Sequence, residues 1–264
     1  MGDTVPNPDV SCASYEEFAK RYGGAILQEL GDLQIVDGDL AMTRDFDLIV
    51  GDTSYDAMRR LLDDWRCKSP HLQVLFRLAD LIVVREIEAE QRLDRAERSV
   101  RSDEYRPFIL SGSPTFQKAW QAHFNETAAA QSGRDVYPAS IVLQGSYSLG
   151  RFRDDIGCSV EAWQTCGPLF GGRSVGEILT ASANGARHQD EWFKTHAPNT
   201  RQRASIQVLT DALGVWSKDD RPIYSAGRCE EVLSLLGEGR GFEGLTKTMF
   251  AFAHEIALNR RQQS

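Results

Sequence analysis

The chain has no run approaching the ~20 consecutive apolar residues that a membrane-spanning helix needs, and its first ten residues, MGDTVPNPDV, lack the basic and apolar regions of a secretion signal. Both absences predict a soluble, cytoplasmic protein that does not engage a membrane. Cysteine is sparse and unpatterned: Cys12, Cys67, Cys158, Cys166 and Cys229 are odd in number and show no C-x-x-C spacing. That usage argues against a disulfide framework or a zinc site and for reduced thiols. Positive charge is also short, with 30 Lys and Arg against 38 Asp and Glu, for a formal charge of -8. An acidic field repels polyanions, so broad nucleic-acid binding is excluded and any RNA contact must use a local basic patch. No Walker loop, G-x-S-x-G elbow, H-E-x-x-H helix, internal repeat or low-complexity tract is present. P-loop, serine-hydrolase and zincin chemistry drop out, and neither a cofactor nor a metal is expected.

What the 264 residues do contain is helical period, enough for one large or two small domains with a real core. Residues 1–13 carry no pattern, and Phe18, Tyr22, Ile26, Leu27 and Leu30 then follow helical spacing up to Gly31. The period changes at Gln34–Val36, Asp37-Gly38 and Leu40–Met42, which predicts a β-hairpin, with Leu48–Val50 as a third strand. From Thr53 it is helical again through Tyr55, Met58, Leu61, Leu62 and Trp65. Pro70 is expected to open a further helix, whose extension from Arg85 interleaves acids and bases at pairing distance on a solvated face. Pro107 to Pro114 is the expected domain boundary, separating a helical N-terminal region with the hairpin (1–106) from a second helical domain (107–264). In the latter, Ser113-Pro114 starts a helix with Phe116, Ala119, Trp120 and Phe124, and Gln131–Pro138 reads as a loop. Toward the end, Cys229–Leu236 gives a short helix stopped by Gly237, and Leu245, Met249, Phe252, Ile256 and Ala257 line a last one.

The stretch Glu177 to Gly214 combines apolar period with unusual polar residues. Ile178, Leu179, Ser182, Ala186 and Phe193 make one helix face, and Glu177, Asn184, His188, Glu191 and Thr195 make a second stripe. Ser174 can cap this helix. Thr200 can cap the next, which carries Ile206, Val208, Leu209 and Leu213 and ends at Gly214, with Pro198 in the joint.

The run Ala183-Asn184-Gly185-Ala186-Arg187-His188-Gln189-Asp190-Glu191-Trp192 resembles the long helix of HEPN-domain proteins, in particular bacterial members with an N-x-x-[KR]-H-x-D-E-W run. The resemblance covers about a third of the chain. It implies a mainly α fold, a HEPN-like helical bundle, commonly dimeric. It further implies membership of a bacterial antiphage defence or toxin-antitoxin system, as a metal-independent endoribonuclease with RNA as its partner. In such a site His188 would be the acid or base, Asn184 its companion and Arg187 the cation, with Asp190 and Glu191 in support. The family's motif Arg falls on Ala183, a departure that favours an alternative: a catalytically silent HEPN-like module binding a partner protein or nucleotide. Without the resemblance, a lone His on a helix is more often a structural residue, and Glu191 simply pairs with Arg187.

A second alternative comes from Gly145-Ser146 and Asp154-Asp155, which resemble in outline the G-S…D-x-D signature of nucleotidyltransferases, where Gly-Ser amides hold a triphosphate and carboxylates hold cations. Gly157 and Ser159 stand where further carboxylates belong, so a degenerate transferase or a solvated turn with Arg151, Arg153, Asp154 and Asp155 is the expectation there.

Overall fold

Helices dominate because apolar positions recur at three and four through most of the chain, and the computed structural model carries seven of them among its described residues. Those residues are 41–42, 48–49, 54–101, 114–188, 199–214, 228–239 and 241–263. In order they form β1 (Ala41–Met42), β2 (Leu48–Ile49), α1 (Ser54–Arg101), α2 (Pro114–Ile156), α3 (Val160–Thr165), β3 (Leu169–Phe170) and β4 (Arg173–Ser174). Then follow α4 (Val175–Arg187), α5 (Thr200–Leu213), α6 (Cys229–Leu236) and α7 (Gly241–Gln263). The mainly helical class and a small N-terminal hairpin thus match expectation, with β1 and β2 antiparallel and Ala41 opposite Ile49. The expected helix at 14–31, the strand at Gln34–Val36 and the boundary at Pro107 fall outside the described residues.

Two expected breaks are not breaks. Helix α1 continues through Pro70, whose missing N–H leaves the carbonyl four residues earlier without its helical donor. One residue before, the Ser69 hydroxyl donates to the Trp65 carbonyl at 2.6 Å, so this turn keeps a local bond. Helix α2 likewise runs through Gln131–Pro138, read above as a loop. Here tertiary packing overrides the glycine and proline: a Cβ on Gly133 would crowd the Ile82 side chain, so the glycine marks a close approach of α1 and α2.

Contacts divide the chain into two units, Met1–Val74 with Ala139–Ser264, and Leu75–Pro138. The larger holds the core: Met58, Trp65, Leu72, Ile141, Leu149, Phe152, Ile156, Ile178, Phe250 and Phe252 are all under 2% exposed or close to it. Trp65 stacks on Phe242 with ring centroids 5.8 Å apart and gives its indole N–H to the Thr246 hydroxyl at 3.0 Å. A buried Trp therefore keeps its one donor satisfied. In the smaller unit the paired stretches of α1 and α2 run antiparallel. Arg134 meets Glu86 at 2.9 Å and Arg92 meets Glu126 at 2.7 Å, so residue numbers fall on one helix as they rise on the other.

Within the segment Cys166–Ser174 the chain folds into the β3–β4 hairpin, with Leu169 opposite Ser174. Gly171 and Gly172 turn it with φ of 57° and 76°. Two successive positive φ values are the geometry of a type I′ turn, which glycine adopts without strain.

Candidate functional site

Helix α4 is the hub of the larger unit, and its start is fixed by bonding that the sequence partly announces. The Ser174 hydroxyl accepts from the Glu177 amide at 3.2 Å, and the Glu177 carboxylate accepts from the Ser174 amide at 3.1 Å. This is a complete capping box. The same hydroxyl donates to the Trp163 carbonyl at 2.6 Å, which satisfies a fully buried Ser. Behind the cap, Val175, Gly176, Ile178, Leu179, Ala181, Ser182, Ala183 and Gly185 are all buried. Apart from the half-buried Ala186, what remains toward solvent is Glu177, Thr180, Asn184 and Arg187, spaced three, four and three apart. A single strip of α4 is therefore open.

Helix α5 lies antiparallel to α4. Its cap is Asn199 rather than the expected Thr200, with Asn199 and Gln202 exchanging bonds of 2.9 and 2.8 Å. Asn is the better cap because its side-chain oxygen reaches the third amide while its own N–H stays available to Gln202. The far end stops at Gly214 in the left-handed conformation, as expected. Direction is set by Arg173, at the start of α4, whose guanidinium donates to Asp211, near the end of α5, at 3.0 and 2.7 Å. It also reaches Glu177 at 3.2 Å. The Arg173 guanidinium holds the Asp211 carboxyl below its ordinary value, chiefly through the side-chain bond, and Asp211 in turn raises Arg173. With the start of α4 beside the end of α5, Asn184, Arg187 and His188 lie at the same end as Asn199–Arg203.

The residues singled out in the sequence are distributed as follows. Asn184 is half-buried and Arg187 exposed on the open strip, while His188 is exposed at the C-cap, its amide donating to the Asn184 carbonyl at 3.1 Å. Ala183 is 0% exposed, so the position matching the family's Arg faces the core and could not offer a cation to solvent. The helix was expected to carry its stripe through Glu191 and Thr195. It ends instead at Arg187, and Asp190, Glu191, Trp192 and Thr195 lie outside the described residues.

The transferase outline is not assembled. Gly145 and Ser146 sit in the middle of α2, where amide protons are taken by helical bonds and cannot cradle a phosphate. A Cβ at Gly145 would make only ordinary contacts with Leu179 and Met249, so neither a phosphate nor tight packing calls for the glycine. Asp155 is tied to Arg60 at 3.0 Å, and the Arg153 guanidinium lies 5.2 Å from the Trp163 ring centroid, so the expected turn is the end of a helix on which Arg151 and Asp154 are exposed while Arg153 and Asp155 are half-buried. Among the described residues no group of three metal-binding side chains occurs.

Two polar groups escaped the sequence. One is the Arg173–Glu177–Asp211 tie, of which only the four-residue spacing of Arg173 and Glu177 was visible. The other joins Lys68, Asp64 and Ser148 through bonds of 2.7, 2.9 and 2.6 Å. It contains a Ser beside a Lys, but Ser148 is only 2% exposed and cannot meet a substrate. The thiols are equally unpromising as nucleophiles: burial pushes Cys158 and Cys166 above their ordinary value, which lowers their thiolate fraction.

Comparison with protein-family models, with curated proteins and with solved structures returned no match. The one open strip of α4 is thus weighed on its own chemistry. Its last turn offers a neutral amide in Asn184 and a cation in Arg187, and the exposed C-cap that follows it adds the imidazole of His188.

Proposed function

We propose that the protein is a HEPN-like, metal-independent endoribonuclease of a bacterial antiphage defence or toxin-antitoxin system. The supporting observation is that Asn184 and Arg187 stand on the solvent-facing strip of an otherwise buried helix and that the exposed His188 is the C-cap directly after it. Cleaving RNA requires a group that takes a proton from the 2′-hydroxyl and a positive or hydrogen-bonding group that offsets charge on the phosphate. His188 takes the first role, Asn184 orients it or the phosphate, and Arg187 supplies the second. One such set per chain is incomplete, so the active form is a homodimer in which two copies of this helix face each other about a two-fold axis.

In the test, purified protein is incubated with cellular RNA, and light scattering gives its oligomeric state. Cleavage by a dimer is expected, persisting in EDTA and abolished by His188→Ala with no fall in melting temperature. A monomer at high micromolar concentration, or cleavage that survives His188→Ala but not EDTA, would sink the assignment of roles.

The buried Ala183 favours a second function, a silent HEPN-like module that binds a partner protein. A dimer that leaves tRNA, mRNA and total cellular RNA intact is the outcome expected of it.

A further inference from the structure

In the smaller unit, the outer face of α1 is as regular as the face it turns to α2. The inner face is marked by Ile82, which meets Gly133, and by the buried Glu86 and Ala89. Arg77, Leu81, Val84 and Glu88 are all exposed, and at about 100° per residue they fall within ~30° of one line on the side away from α2. Leu81 and Val84, with Ile87 at their edge, are three of the eight large apolar side chains exposed among the described residues. Gathered on two turns of one helix, they are a cluster rather than the scatter that any surface carries.

The steps from Arg77 to Leu81, Val84 and Glu88 are four, three and four residues, which is the spacing of a coiled-coil seam. The order of charged and apolar residues along it decides what it can pair with. Laid antiparallel on a second copy of itself, about a two-fold between residues 82 and 83, the seam sets Arg77 opposite Glu88 and Leu81 opposite Val84, each contact occurring twice. Laid parallel and in register, it would set Arg77 on Arg77 and Glu88 on Glu88, which like-charge repulsion opposes. The charged ends are available for such pairing. Among the described residues no ion pair holds Arg77, and Glu88 has Arg92 only at 3.9 Å, while Arg92 lies 2.7 Å from Glu126. Asp80 and Arg85 stand on opposite edges, outside the seam.

We infer that the outer face of α1 at 77–88 is a docking surface for a second copy of this chain, joined antiparallel, with Leu81 and Val84 in two central layers and an Arg77–Glu88 pair closing each end. The buried positions of the smaller unit include Glu86, Ala89, Thr127 and Ala130, so covering Leu81, Val84 and Ile87 removes from water apolar area that this unit alone leaves wet. The charged ends fix register and direction more than they add affinity. At ~1.5 Å per residue the seam is about 17 Å long, which places the contact among weak associations that form at high micromolar concentration. It is separate from the α4 pairing proposed above and does not rest on the ribonuclease reading.

The experiment is sedimentation equilibrium of the full chain at high micromolar concentration, comparing the wild type with Arg77→Glu, Glu88→Arg and the double variant Arg77→Glu/Glu88→Arg. Each single reversal sets like charges against each other at both ends of the seam and should weaken association through it by about tenfold or more. The double variant restores opposite charges at both ends and should associate like the wild type, as should an equimolar mixture of the two single variants. Arg151→Glu, at an exposed position of the larger unit, should change nothing. Equal helix content and melting temperature by circular dichroism establish that the variants fold. Any association through α4 is common to all of these proteins, so the α1 contact is read as the difference between them. Single reversals that sediment like the wild type, or a double variant that associates no better than either single one, overturn the docking surface. RNA cleavage is measured alongside: its absence removes the ribonuclease reading and leaves this surface standing. Cleavage together with identical sedimentation of all variants does the reverse.

Discussion

Arg173 shows how one side chain can tie two helices together and make their pairing depend on pH. Its bonds to Asp211 and Glu177 are short but partly exposed, with side-chain accessibilities of 29% for Arg173 and for Asp211, so solvent screens them and their contribution is modest. The sign of the pH effect is fixed all the same. The Asp211 carboxyl lies below its ordinary value of 3.8 in the folded protein. Its stabilising contribution is therefore complete above that value and is lost as pH falls toward the lower, folded value. Asp211→Asn should lower stability at neutral pH and flatten the stability profile on the acid side. Denaturant titrations of both proteins from neutral to acid pH would show it, and parallel profiles would mean that another carboxylate carries the effect. Asp211 could not have been paired with Arg173 from the sequence, since 38 positions separate them. Ser174 and Gly214 could be placed, because a cap and a left-handed stop are decided by neighbours within four residues.

Apolar faces and some helix ends were legible in the sequence, whereas the C-terminal end of α4 and the continuity of α1 and α2 were not. Cys229–Leu236, closed by Gly237, and the buried row of α7 follow from spacing alone. Pro70, Gly133 and Pro138 read as interruptions because propensity is local, whereas the packing that keeps α1 and α2 unbroken comes from residues far along the chain. The β3–β4 hairpin was missed for a similar reason: two residues per strand give no alternation to detect. Gly176 is a position where aromatic side chains leave no room for a Cβ. A Cβ there would overlap the Trp163 ring and press on Phe252, which meet edge to face at 5.1 Å. Ala ordinarily favours a helix over Gly, yet Gly176→Ala should destabilise the protein by about 1–3 kcal/mol through overpacking against rigid aromatic rings. Urea unfolding measures the difference, and a stabilised variant would show that α3 and α4 can separate freely.

At the scale of the whole molecule, the two units differ in what they bury. The ten largest fully buried side chains all belong to Met1–Val74 with Ala139–Ser264. Among the described residues of Leu75–Pro138 the buried positions include Glu86, Ala89, Thr127 and Ala130, which remove little apolar area from water. A buried Leu or Phe contributes ~1.5–3 kcal/mol and an Ala much less, and the large side chains that do lie between these helices, such as Ile82 against Gly133, are only half-buried. The ion pairs of this unit compensate only in part. Glu86 has a side chain 10% exposed, and its partner Arg134 is 45% exposed. Arg134→Ala would leave that carboxylate buried without this partner, at a cost of about 1–3 kcal/mol. The expected outcome is that amides of 75–101 and 114–138 exchange with solvent on the order of tenfold or more faster than those of 141–156, although both stretches of α2 belong to one continuous helix. Arg134→Ala should speed exchange in the smaller unit and leave 141–156 as they were. Native-state hydrogen exchange read by mass spectrometry makes the comparison directly. Equal protection along the whole of α2 would mean that the two units open together, and that the apolar core of one governs the stability of both.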